Sequence, residues 1–274
     1  GSFARNPTSE GSSLVPSTVV VSTALTAPGG RPDTVIAADA GLVACLHAGF
    51  EPDLVVGDMD SVPSEALERA TASGARIERH PVDKDAVDLE LALDAALLDA
   101  RTRGAAATPG PAVGVPDGGA PDGRIEGERV VVVGSAEGRI DHLVASMALL
   151  GSQRYADLAV EAWFGGQLVV PVRGRRLLRA PVGTTVSLLA LHGAGSRVST
   201  GGLRWRMDSG VIPPGSSLGV SNTFADSEAW VDVEGPPVTV VLPDLLEQSA
   251  RTGGFPRAGT AGSGPDSDPR PPGG

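Results

Sequence analysis

Closely spaced aspartates follow an apolar run in the first part of the chain. Asp58 and Asp60 come directly after residues 54–56 and lie two positions apart. In an extended chain such side chains face the same way, and two carboxylates repel each other unless a cation lies between them. Mg²⁺ suits the position because it takes one or two carboxylates together with water and phosphate oxygens. From the residues alone, a solvated acidic turn that caps the next helix is the alternative.

A second acidic segment precedes the clearest predicted helix. Asp83, Asp85 and Asp88 surround Lys84, the single lysine of the chain. Amide groups at a helix N-terminus attract anions, and an ammonium group would add to that attraction. The carboxylates could hold the metal that neutralises a polyphosphate. Helix capping with an Asp–Lys surface pair is the alternative, and it would contribute about 0–1 kcal/mol.

Two further turns join a predicted strand to a predicted helix. Residues 134–138 carry glycines and are followed by Arg139, Asp141 and His142. Glycines let the backbone approach a ligand, and an arginine can grip phosphate with two donors. The segment matches neither the dinucleotide fingerprint nor the P-loop. Asp39, after another strand, either caps the helix that follows or faces the same cleft. Such turns gather at one edge of a parallel sheet.

Strand and helix patterns alternate up to about residue 150. We predict strands at 18–22, 34–38, 54–56, 75–78 and 130–133, and helices at 40–49, 64–73, 88–100 and 140–150. Short, uniformly apolar strands are typical of a parallel sheet that is covered on both faces. Beyond residue 157 short strands follow one another, and we predict them at 159–163, 167–172, 185–191, 219–224, 228–233 and 238–242. This second pattern indicates an all-β sandwich.

The predicted fold class is therefore α/β, with a Rossmann-like parallel-sheet domain followed by an all-β sandwich domain. The boundaries place a flexible N-terminus at 1–16, the α/β domain at 17–156, the sandwich at 157–247 and a disordered tail at 248–274. A Gly-, Pro- and Ala-rich segment at 102–128 is interpreted as a disordered insertion.

Composition narrows the function classes. The net charge of −11 argues against nucleic acid as the main partner, since phosphate binding needs a basic face. Cys45 is the single cysteine, so no intramolecular disulfide is possible, and its apolar neighbours indicate a buried, inert thiol. No apolar run is long enough to span a membrane, and no signal peptide is visible. We expect a cytoplasmic protein.

Taken together, these motifs resemble the thiamine pyrophosphokinase (thiamine diphosphokinase) family. The family pattern is an Asp-containing turn, Pro-Asp…Gly-Asp-x-Asp-Ser, Lys-Asp-x-Thr-Asp and a Gly-rich turn with Arg-x-Asp-His. Here it is matched, in order, by Asp39 and by residues 52–61, 84–88 and 134–142. Residues 202–205 resemble the family's Gly-Leu-x-Trp segment and 220–222 its Ser-Asn strand. Two positions depart from the pattern: Val87 replaces the usual Thr, and Ser146 a common Asn.

The resemblance implies an enzyme that transfers a diphosphate from ATP to the hydroxyl of thiamine, giving thiamine diphosphate and AMP. It also implies an α/β nucleotide-binding domain, a β-sandwich, bound Mg²⁺, and a homodimer with thiamine between the subunits. A pyrophosphokinase for another heterocyclic alcohol, such as a hydroxymethyl-pterin, and a non-catalytic thiamine or nucleotide sensor are the alternatives.

The roles that the resemblance implies fall into four groups. The metal-binding residues are Asp58, Asp60, Asp85 and Asp88. The catalytic residues are these four together with Arg139 and Asp141. The nucleotide-binding group is Asp39, Lys84, Arg139 and His142. For thiamine, Trp205 would stack on the rings, while Ser221 and Asn222 would hydrogen-bond the aminopyrimidine. The acceptor of the hydroxyl proton stays open among Asp39, Asp58 and Asp141.

Overall fold

The computed structural model describes residues 18–21, 32–81, 86–102, 128–136 and 139–243. In the first part, strands and helices alternate as predicted. The elements are β1 (Thr18–Val21), β2 (Thr34–Ala38), α1 (Gly41–His47), β3 (Leu54–Gly57), α2 (Ser64–Ala72), β4 (Arg76–Arg79), α3 (Asp88–Thr102), β5 (Glu128–Gly134), α4 (Ile140–Leu150) and β6 (Leu158–Phe164). The predicted N-terminal segment, nearly all of the insertion at 102–128 and the predicted tail lie outside the described residues.

The first six strands form a parallel sheet in the order β4-β3-β2-β1-β5-β6. Apolar residues that point to one face pack with α1 and α2, and those that point to the other face pack with α3 and α4. β2, β3 and residues 130–133 of β5 read as continuous apolar runs because both of their faces are buried. The predicted parallel α/β architecture is therefore confirmed.

The sheet continues across the predicted boundary at residue 157. β6 pairs in parallel with β5, so it belongs to the α/β sheet. Gly165 and Gly166, with φ of 57° and 85°, then turn the chain into the antiparallel strand β7 (Gln167–Arg179). Two consecutive residues with positive φ are the geometry of the tightest hairpin turns. The α/β and β-rich parts are thus joined by backbone hydrogen bonds within one sheet.

The β-rich part is arranged around one long strand. It contains β8 (Thr185–Leu189), β9 (Ser196–Gly201), β10 (Gly210–Ile212), β11 (Asn222–Thr223) and β12 (Glu228–Leu242). β12 pairs with β7 along most of its length, and its other edge pairs first with β9 and then with β8. A mixed, largely β region thus follows the parallel sheet, as the predicted fold class requires.

Several strand boundaries differ from the prediction. The strands predicted at 228–233 and 238–242 are one strand, with a register shift between Val233 and Val238. Pro236 and Pro237 lie at this shift, where a residue without an N–H is tolerated. The strand predicted at 219–224 is reduced to the two residues of β11. The prediction missed β9 and β10 because β9 carries only one large apolar side chain, Val198.

Cys45 lies in the interior of the α/β part, as predicted. Cys45 is fully buried, and desolvation raises the pKa of its thiol to about 12, so the thiol is unreactive. Among the described helices, none combines the length and apolar character needed to span a membrane.

A buried ionic cluster ties the two parts together. The Glu161 side chain on β6 is 1% exposed and bonds to Arg176 on β7, while its Oε2 lies 3.6 Å from Nη2 of Arg129 on β5. Burial of these charges is tolerated because each is paired. Neighbouring strands of the sheet are therefore linked by side chains as well as by the backbone.

Replacing Glu161 by Gln should lower the free energy of unfolding by about 3–5 kcal/mol, because two buried guanidinium groups lose their counter-charge. The matched control is Glu228→Gln, which breaks an Arg–Glu pair whose carboxylate is 54% exposed and should cost about 0–1 kcal/mol. Urea unfolding of both variants tests this difference. Equal losses for the two variants would contradict a special role for the buried cluster.

Candidate active site

Three strand-to-helix turns and the start of α3 meet at one cavity of about 480 Å³ at the carboxyl edge of the parallel strands. Polar side chains from the turns after β2, β3 and β5 and from the starts of α3 and α4 line it together with Phe164 at the end of β6. They are Asp39, Asp58, Asp60, Ser61, Asp88, Ser135, Arg139, His142 and Ser146. The predicted gathering of acidic turns at one edge is therefore present in the structure.

Asp39 is brought to the cavity by an unusual backbone conformation. Its φ is 42°, a left-handed geometry that Asp and Asn tolerate better than most residues. Its N–H donates to the carbonyl of Val56 at 2.9 Å, which docks the turn after β2 against β3. A β-carbon at Gly57 would lie 3.0 Å from the Asp39 β-carbon, and Gly57 has φ of 148°, so both the tight contact and the backbone conformation favour glycine here.

Three carboxylates converge in the cavity. One oxygen from each of Asp39, Asp58 and Asp60 lies within 4.8 Å of the others. The backbone N–H of Asp60 donates to Asp58 Oδ1 at 3.2 Å, and Ser61 Oγ donates to Asp60 Oδ1 at 2.8 Å. These two bonds, together with the left-handed turn at Met59 (φ 67°), orient the loop after β3.

The three carboxylates of this cluster differ in burial, and Asp39 is the buried one. Asp39 is 8% exposed, and its buried Oδ1 has no hydrogen-bond partner within the described ranges. Desolvation raises the pKa of Asp39, and the carboxylates of Asp88, Asp58 and Asp60 raise it further. A divalent ion would relieve both effects, and a set of carboxylate oxygens matches the preference of Mg²⁺.

The second acidic segment is only partly described. Asp88 is the first residue of α3 and lines the cavity beside Val87. Lys84 and Asp85 lie outside the described residues, so their implied roles stay predictions. Asp53 does not line the cavity, and its Oδ2 instead accepts the N–H of Val35 at 2.8 Å, which fixes β2 against the segment that enters β3.

The residues around the start of α4 separate into two groups. Arg139, His142 and Ser146 line the cavity, whereas Asp141 is exposed and pairs with Arg139, with Nε and Oδ1 3.2 Å apart. The hydrogen bond to Asp141 raises the pKa of Arg139, and the same bond lowers the pKa of Asp141. Asp141 is thus a weak base placed outside the cavity.

A second cavity of about 580 Å³ lies in the β-rich part and is lined by Trp205, Arg206, Met207, residues 216–220 and Asn222. Trp205 is 55% exposed. Asn222 is buried: its Oδ1 accepts from the N–H of Trp205 at 3.1 Å and of Thr223 at 2.8 Å, and its Nδ2 donates to the Trp205 carbonyl at 2.7 Å. Asn222 therefore fixes the Trp205 backbone beside the cavity.

Ser221 lies beside this cavity without lining it. Its φ is 60°, its side chain is exposed, and its backbone N–H donates to Ser187 Oγ at 3.1 Å. The predicted roles of Trp205, Ser221 and Asn222 toward thiamine stay predictions. Arg206 and Met207 line the cavity but were not predicted, and only their position next to Trp205 in the chain could have indicated them.

A parallel sheet with carboxylates and an arginine around a cavity at its carboxyl edge is typical of the class of α/β enzymes that bind nucleotides with a divalent metal. Two family models narrow this class. "Thiamin pyrophosphokinase, catalytic domain" matches residues 31–161, and "Thiamin pyrophosphokinase, vitamin B1 binding domain" matches residues 176–237. The chain belongs to the thiamin pyrophosphokinase family.

Solved structures share the fold. Thiamin pyrophosphokinase from Candida albicans aligns with a TM-score of 0.65 at 15% identity, over 86% of this chain and 95% of that one. A thiamine pyrophosphokinase from Bacillus subtilis aligns with a TM-score of 0.62 at 18% identity, over 82% and 98%. No curated protein sequence gives a significant match.

The acidic cluster should bind Mg²⁺, and the ion should raise the melting temperature of the chain. At an ion concentration about 100 times the Kd, the stabilisation would be about 2.7 kcal/mol. Asp39→Asn should abolish the effect, since Asn tolerates the same backbone geometry but carries no charge. Glu68→Gln, on the exposed surface of α2, is the control. A Mg²⁺-dependent shift of the same size in Asp39→Asn would contradict the site.

Without Mg²⁺, Asp39→Asn should stabilise the protein at neutral pH. A raised pKa in the folded state means that ionisation of Asp39 destabilises the fold above that pKa. The gain should disappear as the pH falls below the ordinary range of an Asp carboxyl, where the group is protonated in both states. Urea unfolding of both proteins across the pH range measures the change in the free energy of unfolding. A stabilisation seen only at low pH would contradict the prediction.

Proposed function

We propose that this chain transfers the β,γ-diphosphate of ATP to the primary hydroxyl of thiamine, giving thiamine diphosphate and AMP. The observation that carries the proposal is the meeting of Asp39, Asp58 and Asp60 in one cavity with Asp88 and Arg139. The match to both the catalytic and the vitamin B1 binding models supports thiamine as the acceptor.

In the proposed reaction, the thiamine hydroxyl oxygen attacks the β-phosphorus of ATP, and the bond from that phosphorus to the α-phosphate oxygen breaks. Mg²⁺, when bound, would neutralise charge on the triphosphate. Asp39, Asp58, Asp60 and Asp88 would hold the ion directly or through water, with Asp85 as a predicted addition. Arg139 would steady the phosphates, together with Lys84 and His142. Catalysis would rest mainly on positioning and electrostatics.

The hydroxyl proton needs an acceptor close to the attacking oxygen. Asp141 is disfavoured, because it does not line the cavity and its pairing with Arg139 lowers its pKa. Asp39 and Asp58 both line the cavity, so either carboxylate can lie close to the attacking oxygen. We therefore propose Asp39 or Asp58 as the acceptor.

We further propose a homodimer that works in the cytoplasm. The acidic cavity and the Trp205 cavity share no lining residue among the described residues, so they are two separate sites. Apolar side chains are exposed beside both cavities: Ile140 and Val144 on α4, and Leu218 and Val220 near Trp205. A second copy would cover these surfaces and place its Trp205 cavity opposite the acidic cavity.

Incubation of the chain with thiamine, ATP and Mg²⁺ should yield AMP and thiamine diphosphate in equal amounts. Asp58→Asn should reduce kcat at least about 100-fold, the typical cost of losing one electrostatic stabiliser of a transition state. Chromatographic separation and quantification of AMP and thiamine diphosphate over time measures both the product ratio and kcat. Formation of ADP would indicate single phosphoryl transfer, and a hydroxymethyl-pterin that outcompetes thiamine would change the acceptor. Tight thiamine binding without AMP would indicate a sensor.

The dimer proposal predicts complementation between two inactive variants. Asp58→Asn damages only the acidic cavity, and Trp205→Ala only the other cavity. If each site takes one cavity from each subunit of a two-fold dimer, mixing the two variants should restore about a quarter of wild-type activity. Asp58→Asn mixed with Asp60→Asn is the control, since both changes damage the same cavity. No recovery with stable mixed dimers would exclude a shared site.

A further inference from the structure

Helix α4 forms one wall of the acidic cavity with its first two turns. Arg139 precedes the helix, and His142, Leu143 and Ser146 follow on it. Leu150 is its one fully buried residue, whereas Ile140 and Val144 are 77% and 60% exposed. The side of this helix that carries Ile140 and Val144 is thus exposed, while Leu143 and Met147 are only partly buried against the core. The contacts at its far end therefore help to set its position.

The last turn of α4 is held by two side chains from the β-rich part. Arg173 on β7 donates through Nη2 to the carbonyls of Gly151 and Ser152, both at 2.9 Å. His192, which follows β8, has Nε2 2.8 Å from the carbonyl of Ala148. Because a carbonyl only accepts, Nε2 carries the proton. Carbonyls at a helix C-terminus lack intrahelical partners, and a cation there also complements the helix dipole.

The His192 ring packs so closely against the end of α4 that it restricts the side chain at position 151. A β-carbon at Gly151 would overlap the imidazole ring of His192. Gly151 has φ of −93°, which any residue adopts, so the ring alone requires glycine here. Arg173 is half-buried, and desolvation lowers its pKa. Its placement therefore has a cost that its two hydrogen bonds offset.

We propose that Arg173 and His192 are positioning residues for the ATP side of the reaction. By fixing the last turn of α4, they set the tilt of the helix whose first turns line the acidic cavity. A straight helix of 11 residues is about 16 Å long, so a small rotation at one end displaces the other. A displacement of about 1 Å at a reacting site can cost a factor of about 100. The inference rests on the proposed function, because ATP is assigned to this cavity there.

The experiment measures two affinities for each variant by calorimetry: that of a non-hydrolysable ATP analogue with Mg²⁺, and that of thiamine. In Arg173→Gln and His192→Ala the affinity for the analogue should fall about tenfold, and that for thiamine should change less than about twofold. Arg173→Lys should recover part of the loss. Arg179→Gln, on the same strand but paired with Glu228, is the matched control and should change neither affinity.

Gly151→Ala provides an independent route to the same displacement. Alone it should weaken analogue binding at least as much as His192→Ala does, because the new methyl group pushes the ring off the helix end. In the double variant Gly151→Ala/His192→Ala the methyl group meets no ring, so binding should be no weaker than in His192→Ala. Additive losses would overturn the proposed contact.

The outcomes separate this inference from the proposed function. Equal losses of analogue and thiamine affinity, or a loss of stability alone, would reduce Arg173 and His192 to a structural role and overturn the inference. A wild-type chain that binds the analogue while the variants bind it equally well would also overturn the inference but leave the proposed function intact. A wild-type chain that does not bind the analogue would overturn both.

Discussion

The mutual repulsion of carboxylates at one sheet edge is the constraint on which the site depends. Asp39, Asp58 and Asp60 come from two turns, and the fold holds them within 4.8 Å of one another although their charges oppose this. The backbone stabilises the arrangement through the left-handed geometry at Asp39 and Met59 and through the contact with Gly57. Strain and like charge concentrated at one point are typical of functional sites.

The continuous sheet gives this site its connection to the β-rich part. The parallel strand β6 ends at Phe164 on the cavity, turns at Gly165 and Gly166, and returns as β7. β7 in turn carries Arg176, which pairs with buried Glu161, and Arg173, which binds the end of α4. The same strand thus contributes to the core between the two parts and to the wall of the acidic cavity. A change in the β-rich part can therefore reach the acidic cavity through contacts between neighbouring residues.

Asn222 holds the backbone beside the exposed Trp205 side chain. Its buried amide bonds the backbone of Trp205 in both directions, so the exposed indole is presented on a fixed segment. A rigid aromatic surface binds at a lower cost in conformational entropy than a mobile one. The two-residue strand β11 is sufficient to hold Asn222 in place, because it pairs with β8 and continues into the bridge between Phe224 and Leu203.

The sequence by itself determined the elements with strong local signals. Uniform apolar runs identified β2, β3 and β5, the spacing of Leu89, Leu93 and Leu97 identified α3, and the motif order identified the family. These features depend on periodicity and residue type, which are local. The sequence also placed the acidic turns at one sheet edge, because parallel strands present their carboxyl ends together.

Only the tertiary structure decided which of these residues meet. Asp141 resembles a cavity residue in sequence, but the helix start turns it outward to Arg139, while Asp39 moves inward because Gly57 admits it. The assignment of β6 to the parallel sheet and the fusion of two predicted strands into β12 depend on hydrogen bonds between distant segments. The contacts of Arg173 and His192 with the end of α4 are equally non-local. Such pairings leave no periodic trace in the chain, since they are set by packing across long sequence separations.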